Sequence, residues 1–318
     1  MKIMKKIVSI ILSCVLLVSL IACADSSKTQ IVATGGASGT YYGFTGAIST
    51  ALNASLKDKV NLNPITTGAS KANIQLLDTK EAQIAIVQND VMSYAYNATD
   101  MFEGNTPIQS FSAIASCYPE SIQIIASKNI NSIEDLKGKK VSVGDAGSGT
   151  EFNAKQILGI YGIDIDKDIN KQNQSFGDSA ESLKNGNIDA AFVTAGHPTV
   201  AVVELSTNFD FNILSLDQNH INDLTSKYSF YTPLTIPKNT YSVLKNDVQT
   251  VAVMATFVAR NDLSEDVVYE FTKGLFEQKD SFTHQKAELL NPQTGISGIS
   301  IPFHAGALKY YKEIGLKN

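Results

Sequence analysis

Apolar segments of strand length alternate with amphipathic helical segments along most of the chain. The segment Gln83–Asp90 is a short apolar run that ends in polar residues, and a helical pattern follows it. The segment Ile31–Gly46 also begins with β-branched residues, continues through small residues and then becomes helical. One apolar face of that helix is formed by Phe44, Ala47, Ile48, Ala51 and Leu52. Strands that alternate with helices predict an α/β protein with largely parallel sheets.

Two loops of small residues repeat one arrangement. Ile31–Gly46 reads IVATGGASGTYYGFTG, Val141–Phe152 reads VSVGDAGSGTEF, and each loop ends in Ser-Gly-Thr before a helical pattern. A strand, a glycine loop and a helix N-terminus form an anion site, because free N–H groups and the helix dipole face a ligand that glycine allows to approach. The pair predicts two halves that face one ligand. The alternative is two ordinary strand-to-helix turns, in which small residues are common.

The predicted strand ends supply candidate ligand contacts, because ligands of open α/β sheets bind beyond the carboxyl ends of the strands. These ends are Gly35–Tyr42, Thr67–Asn73, Gln88–Asp90, Gly147–Thr150 and Ala195–Thr199. The chain is expected to cross between the halves near Ser112–Tyr118 and again near Ser229–Ile236. This division predicts a discontinuous first lobe of residues 30–115 plus 230–318 and a second lobe of residues 116–229.

The N-terminus has the pattern of an export signal. Three lysines precede a 15-residue apolar stretch that is short for a membrane span, and the stretch ends in Leu20-Ile21-Ala22-Cys23. Because this ending resembles a bacterial lipobox, residues 1–23 are predicted to be a lipoprotein signal peptide, Cys23 the lipidated residue and residues 24–29 a flexible tether. The alternative is a plain signal peptide cut near Ala22 or Ala24. Both predict an extracytoplasmic protein, and the lipobox adds an anchor on the outer face of the cell membrane.

Composition narrows the partners and the chemistry. The formal charge of −5 becomes −8 when the three signal lysines are removed, and no basic patch or basic helix indicates nucleic acid or anionic lipid as a partner. Cys117 is the one cysteine left after the signal region, so no intrachain disulfide is expected. The chain contains a single arginine, Arg260, and an arginine clamp on an anion is therefore excluded unless that residue supplies it.

Sequence motifs of enzymes are missing. The sequence contains neither G-x-S-x-G nor a P-loop motif, and no G-x-G-x-x-G follows a strand. Its four histidines show no metal-ligand spacing. Asp145 and Glu151, which flank the second glycine loop, are interpreted as a turn residue and as an acid in the first turn of a helix rather than as a catalytic pair. We therefore expect a monomeric binding protein with no catalytic residue, cofactor or metal.

Seven blocks in order resemble the TAXI family of solute receptors of tripartite ATP-independent periplasmic (TRAP) transporters. They are TGGASGTYYGFTGAIS, TGASKANIQLL, AQIAIVQNDV, DLKGKKVSVGDAGSGTEFNAKQIL, LKNGNIDAAFVTAGHPT, IPKNTY and IPFHAGALKYYKEIG. The resemblance implies a two-lobed α/β fold of the periplasmic-binding-protein type II kind, with a ligand cleft between the lobes. It also implies that a small carboxylate or amino acid, glutamate-like, is passed to a TRAP permease. The chain departs from the family at Lys71-Ala72-Asn73 and at His304-Ala305-Gly306-Ala307.

The resemblance also implies the ligand contacts. They are Gly36, Ser38, Gly39, Thr40, Tyr41, Tyr42, Ala69, Ser70, Asn73, Gln88, Asp90, Gly147, Ser148, Gly149, Thr150, Gly196, His197, Pro198 and Tyr241. His197 is equally consistent with a packed or surface histidine, and Tyr241 with a core aromatic residue. A rival interpretation is the substrate-binding lipoprotein of an ABC importer for an organic anion, whose sequence features would be much the same.

Overall fold

The computed structural model describes residues 29–57 and 59–317. The predicted signal peptide, Cys23 and most of the predicted tether lie outside these ranges. In the described ranges the strands are β1 (Gln30–Ala33), β2 (Leu62–Ile65), β3 (Ile84–Gln88), β4 (Phe111–Ala126), β5 (Lys140–Ser142), β6 (Asn170–Gln172), β7 (Ala190–Ala195), β8 (Asn212–Ile213), β9 (Thr232–Ile236) and β10 (Val248–Arg260). The α-helices are α1 (Thr40–Ser55), α2 (Ser70–Asp78), α3 (Asn89–Asn97), α4 (Gly149–Ile160), α5 (Phe176–Lys184), α6 (Val200–Asn208), α7 (Gln218–Lys227), α8 (Glu265–Glu277), α9 (Pro292–Gly295) and α10 (Ala305–Glu313). Short 3-10 turns occupy Asp100–Phe102, Glu134–Leu136, Lys279–Ser281 and Gln285–Leu289.

One ten-stranded sheet runs through the molecule in the order β2-β1-β3-β10-β4-β7-β5-β6, with β8 paired to β4 and β9 paired to β10. The outer strands pair in parallel: β1 with β2 and β3, and β5 with β6 and β7. The two long central strands, β4 and β10, are antiparallel to each other and to their other neighbours. The predicted α/β class is confirmed, but the prediction of largely parallel sheets holds only for the outer strands. The centre is antiparallel because the chain crosses between its halves along these two strands.

The strands β4 and β10 change from one half to the other at Pro119. Pro119 faces Met254 across the pair, and it has no N–H to donate to the ladder. The Met254 N–H donates instead to Asn89 Oδ1 at 2.9 Å, and the Met254 carbonyl accepts from Thr256 Oγ1 at 3.3 Å. The segment Ser110–Ser127, SFSAIASCYPESIQIIAS, has two apolar strand patterns separated by Tyr118-Pro119, which predict two strands. The structure has one continuous strand, because these substitute partners satisfy the interrupted ladder.

Separate hydrophobic cores lie on the two sides of this crossing, and we call the two sides the first lobe and the second lobe. In the first lobe, α1 and α8 pack Phe44, Leu52 and Phe271 against the sheet, and α2 and α3 bury a second cluster on its other face. In the second lobe, α4 and α7 cover one face of β5 and β7, and α5 and α6 cover the other. Each lobe therefore buries its own apolar faces, as a domain core requires.

The second lobe extends further along the chain than the sequence predicts. Tyr231 and Val251 pack with Val141 and Phe192 in one of its cores, and residues 236–248 contribute to the other. The reason is that β9 pairs with the first half of β10, before β10 crosses over. The lobe boundary is predicted at residue 230. In this packing the chain instead returns to the first lobe close to Met254.

Candidate functional site

A cavity of about 40 Å³ lies between the lobes. Its wall is built mainly from loops and first helical turns, which follow the carboxyl ends of the strands, where ligands of α/β sheets bind. The lining residues are Gly35, Gly36, Ser38, Gly39, Thr40, Tyr41, Ala69, Ser70, Gln88, Glu120, Asp145, Ser148, Thr150, Phe176, Thr194 and Ala195. The two glycine loops therefore face one cavity, one from each lobe.

The first glycine loop leads into α1 without a side-chain cap. Gly39 is the N-cap residue, and its N–H donates to the Gly36 carbonyl at 3.0 Å. Among the described residues, the N–H groups of Thr40 and Tyr41 have no acceptor. They are first-turn donors at the positive end of a 16-residue helix, so they are suited to a carboxylate or another anionic group.

The second glycine loop caps its own helix. Ser148 Oγ accepts from the Glu151 N–H at 3.2 Å, and Glu151 Oε2 accepts from the Gly147 N–H at 2.6 Å. This reciprocal pair is a variant of the capping box, in which the glutamate accepts from the residue before the N-cap rather than from the N-cap itself. It engages the Ser148 oxygen and the Gly147 and Glu151 amides, and it leaves the first-turn N–H groups of Gly149 and Thr150 without an acceptor in the described chain.

We predict that Ser148→Ala lowers stability more than it lowers solute affinity. The variant removes the cap of α4, and loss of a serine cap costs about 1 kcal/mol of unfolding free energy. Urea unfolding of the variant checks this, with Ser182→Ala, a serine within α5, as the control. An unchanged unfolding free energy would contradict the assigned cap.

A third loop, residues 67–70, leads from β2 into α2, and Asn73 connects it to the strand ends at the cavity. Asn73 Nδ2 donates to the carbonyls of Thr34 and Ile86 at 2.5 and 2.8 Å, and Asn73 Oδ1 accepts from Thr67 Oγ1 at 2.5 Å. Ala69, which precedes α2, has a φ of 64°, an uncommon value for a residue other than glycine. Asn73 therefore ties β1 and β3 to the loop that presents Ala69 and Ser70 to the cavity.

A buried carboxyl group faces the cavity from β4. Glu120 is 2 % exposed, and its Oε2 accepts from the Tyr41 hydroxyl at 2.6 Å. Burial raises the pKa of Glu120 well above its usual range, because the charged form loses its hydration. Arg260 does not reach this group: its guanidinium pairs with Asp262 at the surface, at 2.6 and 2.8 Å.

Direct hydrogen bonds join the lobes on both sides of the cavity. On one side, Thr40 Oγ1 donates to the Gly196 carbonyl at 3.0 Å, and Lys286 Nζ donates to the His197 carbonyl at 2.5 Å. On the other side, Gln88 Nε2 donates to Asn153 Oδ1 at 2.6 Å, and Asn153 Nδ2 donates to Asp90 Oδ2 at 3.0 Å. The structure is therefore a closed arrangement of the two lobes.

Asn153 is the centre of the second set of contacts. This residue is fully buried, and besides Gln88 and Asp90 it contacts Tyr231 and Thr194 of its own lobe, at 2.9 and 3.2 Å. Asp90 is 1 % exposed, and burial raises its pKa to about 6 although the Val91 N–H and Asn153 lower it. In the closed arrangement, ionisation of the Asp90 carboxyl group therefore costs free energy, because the charge is buried.

We predict that Asp90 makes the folded protein less stable as the pH rises. The pKa of Asp90 is raised from 3.8 to about 6 in the folded state. Its contribution to the free energy of unfolding is therefore fully present below about pH 4 and is lost as the pH rises past about 6. Relative to Asp90→Asn, the wild-type free energy of unfolding should fall by about 3 kcal/mol over that interval. Urea unfolding of both proteins at a series of pH values gives the difference; parallel curves would contradict the prediction.

The structure brings ten predicted ligand contacts into the cavity wall and leaves nine outside it. Inside are Gly36, Ser38, Gly39, Thr40, Tyr41, Ala69, Ser70, Gln88, Ser148 and Thr150. Outside are Tyr42, Asn73, Asp90, Gly147, Gly149, Gly196, His197, Pro198 and Tyr241.

The nine residues outside the wall have other positions. Tyr42 lies on the exposed side of α1, and Gly147 lines an outer groove with Lys71. Tyr241 is a core residue whose hydroxyl donates to Gln123 and accepts from the Thr199 N–H. Asp90, Gly149, Gly196 and His197 take part in the contacts between lobes, and Asn73 holds the strand ends. These five residues therefore form or support the closed arrangement rather than the cavity wall.

Three lining residues, Glu120, Phe176 and Thr194, lie outside the strand ends that the sequence marks as candidate ligand contacts, and Asp145 is interpreted there only as a turn residue. Glu120 had a recognisable signal, since it is a charged residue within the apolar stretch from Ser110 to Ser127. The others had none, because strand and helix patterns do not report which ends meet across two lobes.

Comparison with solved structures identifies the architecture. PhnD1 from Prochlorococcus marinus MIT 9301, solved with methylphosphonate, aligns with a TM-score of 0.51 and 15 % identity over 91 % of this chain and 97 % of that one. A ligand-binding component of an ABC-type import system from Staphylococcus aureus aligns with a TM-score of 0.51 and 12 % identity over 92 % and 94 %. A protein from Bordetella bronchiseptica RB50 aligns with a TM-score of 0.55 and 14 % identity over 92 % of this chain and 90 % of that one. The predicted two-lobed, periplasmic-binding-protein-like fold is confirmed.

The sequence itself matches one family model over almost the whole described region. The match is to the NMT1-like family and covers residues 32–315, which include both glycine loops, both lobes and every residue of the cavity wall. The chain therefore belongs to the NMT1-like family.

Proposed function

We propose that the protein is an extracytoplasmic solute receptor. It captures a small carboxylate or amino acid by closing its two lobes, and it delivers the solute to a membrane permease. The observation that carries the proposal is the cavity between the lobes, lined from one side by Thr40 and Ser70 and from the other by Ser148 and Thr150. Cavities with few placed polar groups are typical of small-molecule binding.

The free amides support binding of a carboxylate. Helix α1 contributes the N–H groups of Thr40 and Tyr41, and α4 contributes those of Gly149 and Thr150. A carboxylate that accepts from both helices links the lobes, and a ligand with better contacts in the closed state shifts the population toward closure. The proposed activity is binding without turnover.

For the transporter class, the structural relatives favour an ATP-driven importer of the ABC type. The Staphylococcus aureus relative is described as a component of such a system, and PhnD1 was solved with a phosphonate. A TRAP transporter is the second candidate, because seven ordered sequence blocks resemble TAXI receptors. The class of the adjacent transport genes separates the two: a P-loop ATPase supports the importer, and a TRAP permease supports the second candidate.

We also propose the lipid anchor at Cys23. It is supported by the lipobox pattern and is compatible with the described residues, where no helix is long and apolar enough to cross a membrane. We predict that Cys23→Ala releases the protein from the membrane fraction of expressing cells, because the thiol that takes the lipid is lost. Immunoblots of membrane and soluble fractions check this. Retention of the variant in the membrane fraction would contradict the anchor.

Thermal-shift screening of the purified mature protein tests the receptor function. The panel contains amino acids, monocarboxylates, dicarboxylates, oxo-acids, sulfonates and phosphonates, and titration calorimetry follows for each hit. The proposal predicts saturable binding of at least one compound, because a ligand that binds only the folded state raises the melting temperature. Native mass spectrometry of the freshly purified protein gives an independent check. No binding by any compound and no co-purified solute would contradict the proposal.

A further inference from the structure

The cavity wall carries acidic side chains and no basic ones. Two carboxyl groups line it, Glu120 from β4 and Asp145 from the second glycine loop, and none of its lining residues is lysine, arginine or histidine. Lys286 is the buried lysine close by, but its ammonium group donates to the His197 carbonyl and it is not a lining residue. The wall thus supplies no side-chain cation for an anionic solute.

Glu120 has one oxygen in use and one without a partner. Oε2 accepts from the Tyr41 hydroxyl, whereas Oε1 has no hydrogen bond to any described residue. The side chain is 2 % exposed, so bulk water hydrates it poorly. A buried carboxyl oxygen that faces a cavity without a donor needs one from whatever fills the cavity.

The fold directs Glu120 to this place. Pro119 interrupts the β4–β10 ladder where the strands change lobe, and Glu120 is the next residue. The Tyr41 hydroxyl, which comes from the first turn of α1, then holds the carboxyl group at the wall of the cavity that Thr40 and Tyr41 also line. A donor-rich surface and a carboxyl group therefore lie in the same small cavity, and each is complementary to one end of a zwitterion.

The size of the cavity restricts the solute further. One water molecule needs roughly 10–15 Å³ of cavity volume, so a cavity of about 40 Å³ holds roughly three water molecules. In liquid water, three molecules together occupy about 90 Å³. A solute of that size is compact, and a second carboxylate on it would face Glu120 or Asp145 without a cation.

We propose that the solute is a compact α-amino acid whose ammonium group pairs with Glu120 Oε1 while its carboxylate accepts from the first-turn amides of α1 and α4. The inference rests on the proposed receptor function and adds its substrate class. It makes Glu120 the residue that distinguishes an amino acid from the corresponding carboxylate without the amine. Dicarboxylates, and amino acids with an acidic side chain, are expected to bind more weakly.

Calorimetric titration with matched pairs tests the inference. The pairs are glycine with acetate, L-alanine with propanoate and L-glutamate with glutarate, and the proteins are the wild type, Glu120→Gln and Glu204→Gln. We expect glycine or alanine to bind the wild type about tenfold or more tightly than its partner without the amine, since hydrogen bonds between charged groups are strong. Glu120→Gln should reduce this preference about tenfold, and Glu204→Gln, an exposed change on α6, should retain it.

The outcomes separate the inference from the receptor function. Tighter binding of acetate, propanoate or glutarate than of the matched amino acid would overturn the inference and leave the receptor function standing. An unchanged preference in a folded Glu120→Gln protein would also overturn it. The comparison of each amino acid with its partner without the amine is made on the wild type. It therefore still decides the question if Glu120→Gln fails to fold. No binding by any compound of this panel or of the wider thermal-shift panel would overturn both.

Discussion

Gly149→Ala is expected to lower solute affinity roughly 100-fold, which corresponds to about 3 kcal/mol. A Cβ at this position would overlap Gln88 Oε1 and lie 3.1 Å from Val91 Cγ2. Both atoms belong to the first lobe, whereas Gly149 begins α4 in the second. The Gln88 amide cannot easily turn away, because its Nε2 donates to Asn153.

The cost of this methyl group falls on closure rather than on folding. When the lobes are apart the Cβ meets nothing from the first lobe, so each lobe keeps its core. The apparent affinity of a receptor scales with the fraction of molecules that can reach the closed state. We therefore expect the empty variant to have a larger radius of gyration in small-angle X-ray scattering and to bind more weakly in calorimetry.

Gly46→Ala provides the matched control. Gly46 lies within α1, and a Cβ there would have no neighbour within 4 Å. Alanine should stabilise that helix by about 0.5–1 kcal/mol and leave closure unchanged. Equal affinities and equal scattering for the two variants would contradict the close contact between lobes at Gly149.

Asn153→Ala is the second substitution with a large expected effect. It removes the donor to Asp90 and the acceptor of Gln88 in one step, and both partners are buried when the lobes are closed. Leaving a buried amide and a buried carboxyl group without partners costs about 2–4 kcal/mol. In the open state water can hydrate both groups, so the closed state bears most of this cost.

The measurable result is a loss of affinity of about 100-fold in calorimetry. Asn219→Ala, an exposed change on α7, is the control and should bind as the wild type does. A second consequence concerns pH: without the Asn153 donor the pKa of Asp90 rises further, because one interaction that lowers it is lost. Wild-type affinity in Asn153→Ala would mean that this network does not hold the lobes together.

The fold could be predicted from the sequence wherever a local pattern decided the structure. The sequences around the two glycine loops predict a strand, a turn and a helix in that order. Few other arrangements fit small residues between an apolar strand pattern and an apolar helical pattern. The capping pair Ser148 and Glu151 is also a local pattern. The continuous strand through Pro119 was not predictable in this way, because distant partners, Asn89 and Thr256, satisfy the groups that proline leaves.

The site was predictable in part for the same reason. Residues at strand ends, such as Thr40 and Ser70, reach the cavity because topology places such ends together. Residues whose position depends on how two lobes meet could not be found locally. Glu120 is an example: its charge within an apolar stretch marks it as unusual, but nothing near it in sequence indicates that Tyr41 and a cavity face it.

The most direct test of solute binding between the lobes is a crystal structure of the purified protein saturated with the solute that thermal-shift screening identifies. We expect density for the solute between the two glycine loops, with its carboxylate within hydrogen-bond distance of the Thr40 or Thr150 amide. A saturated complex with the solute bound elsewhere, and only water in the cavity between the lobes, would contradict it.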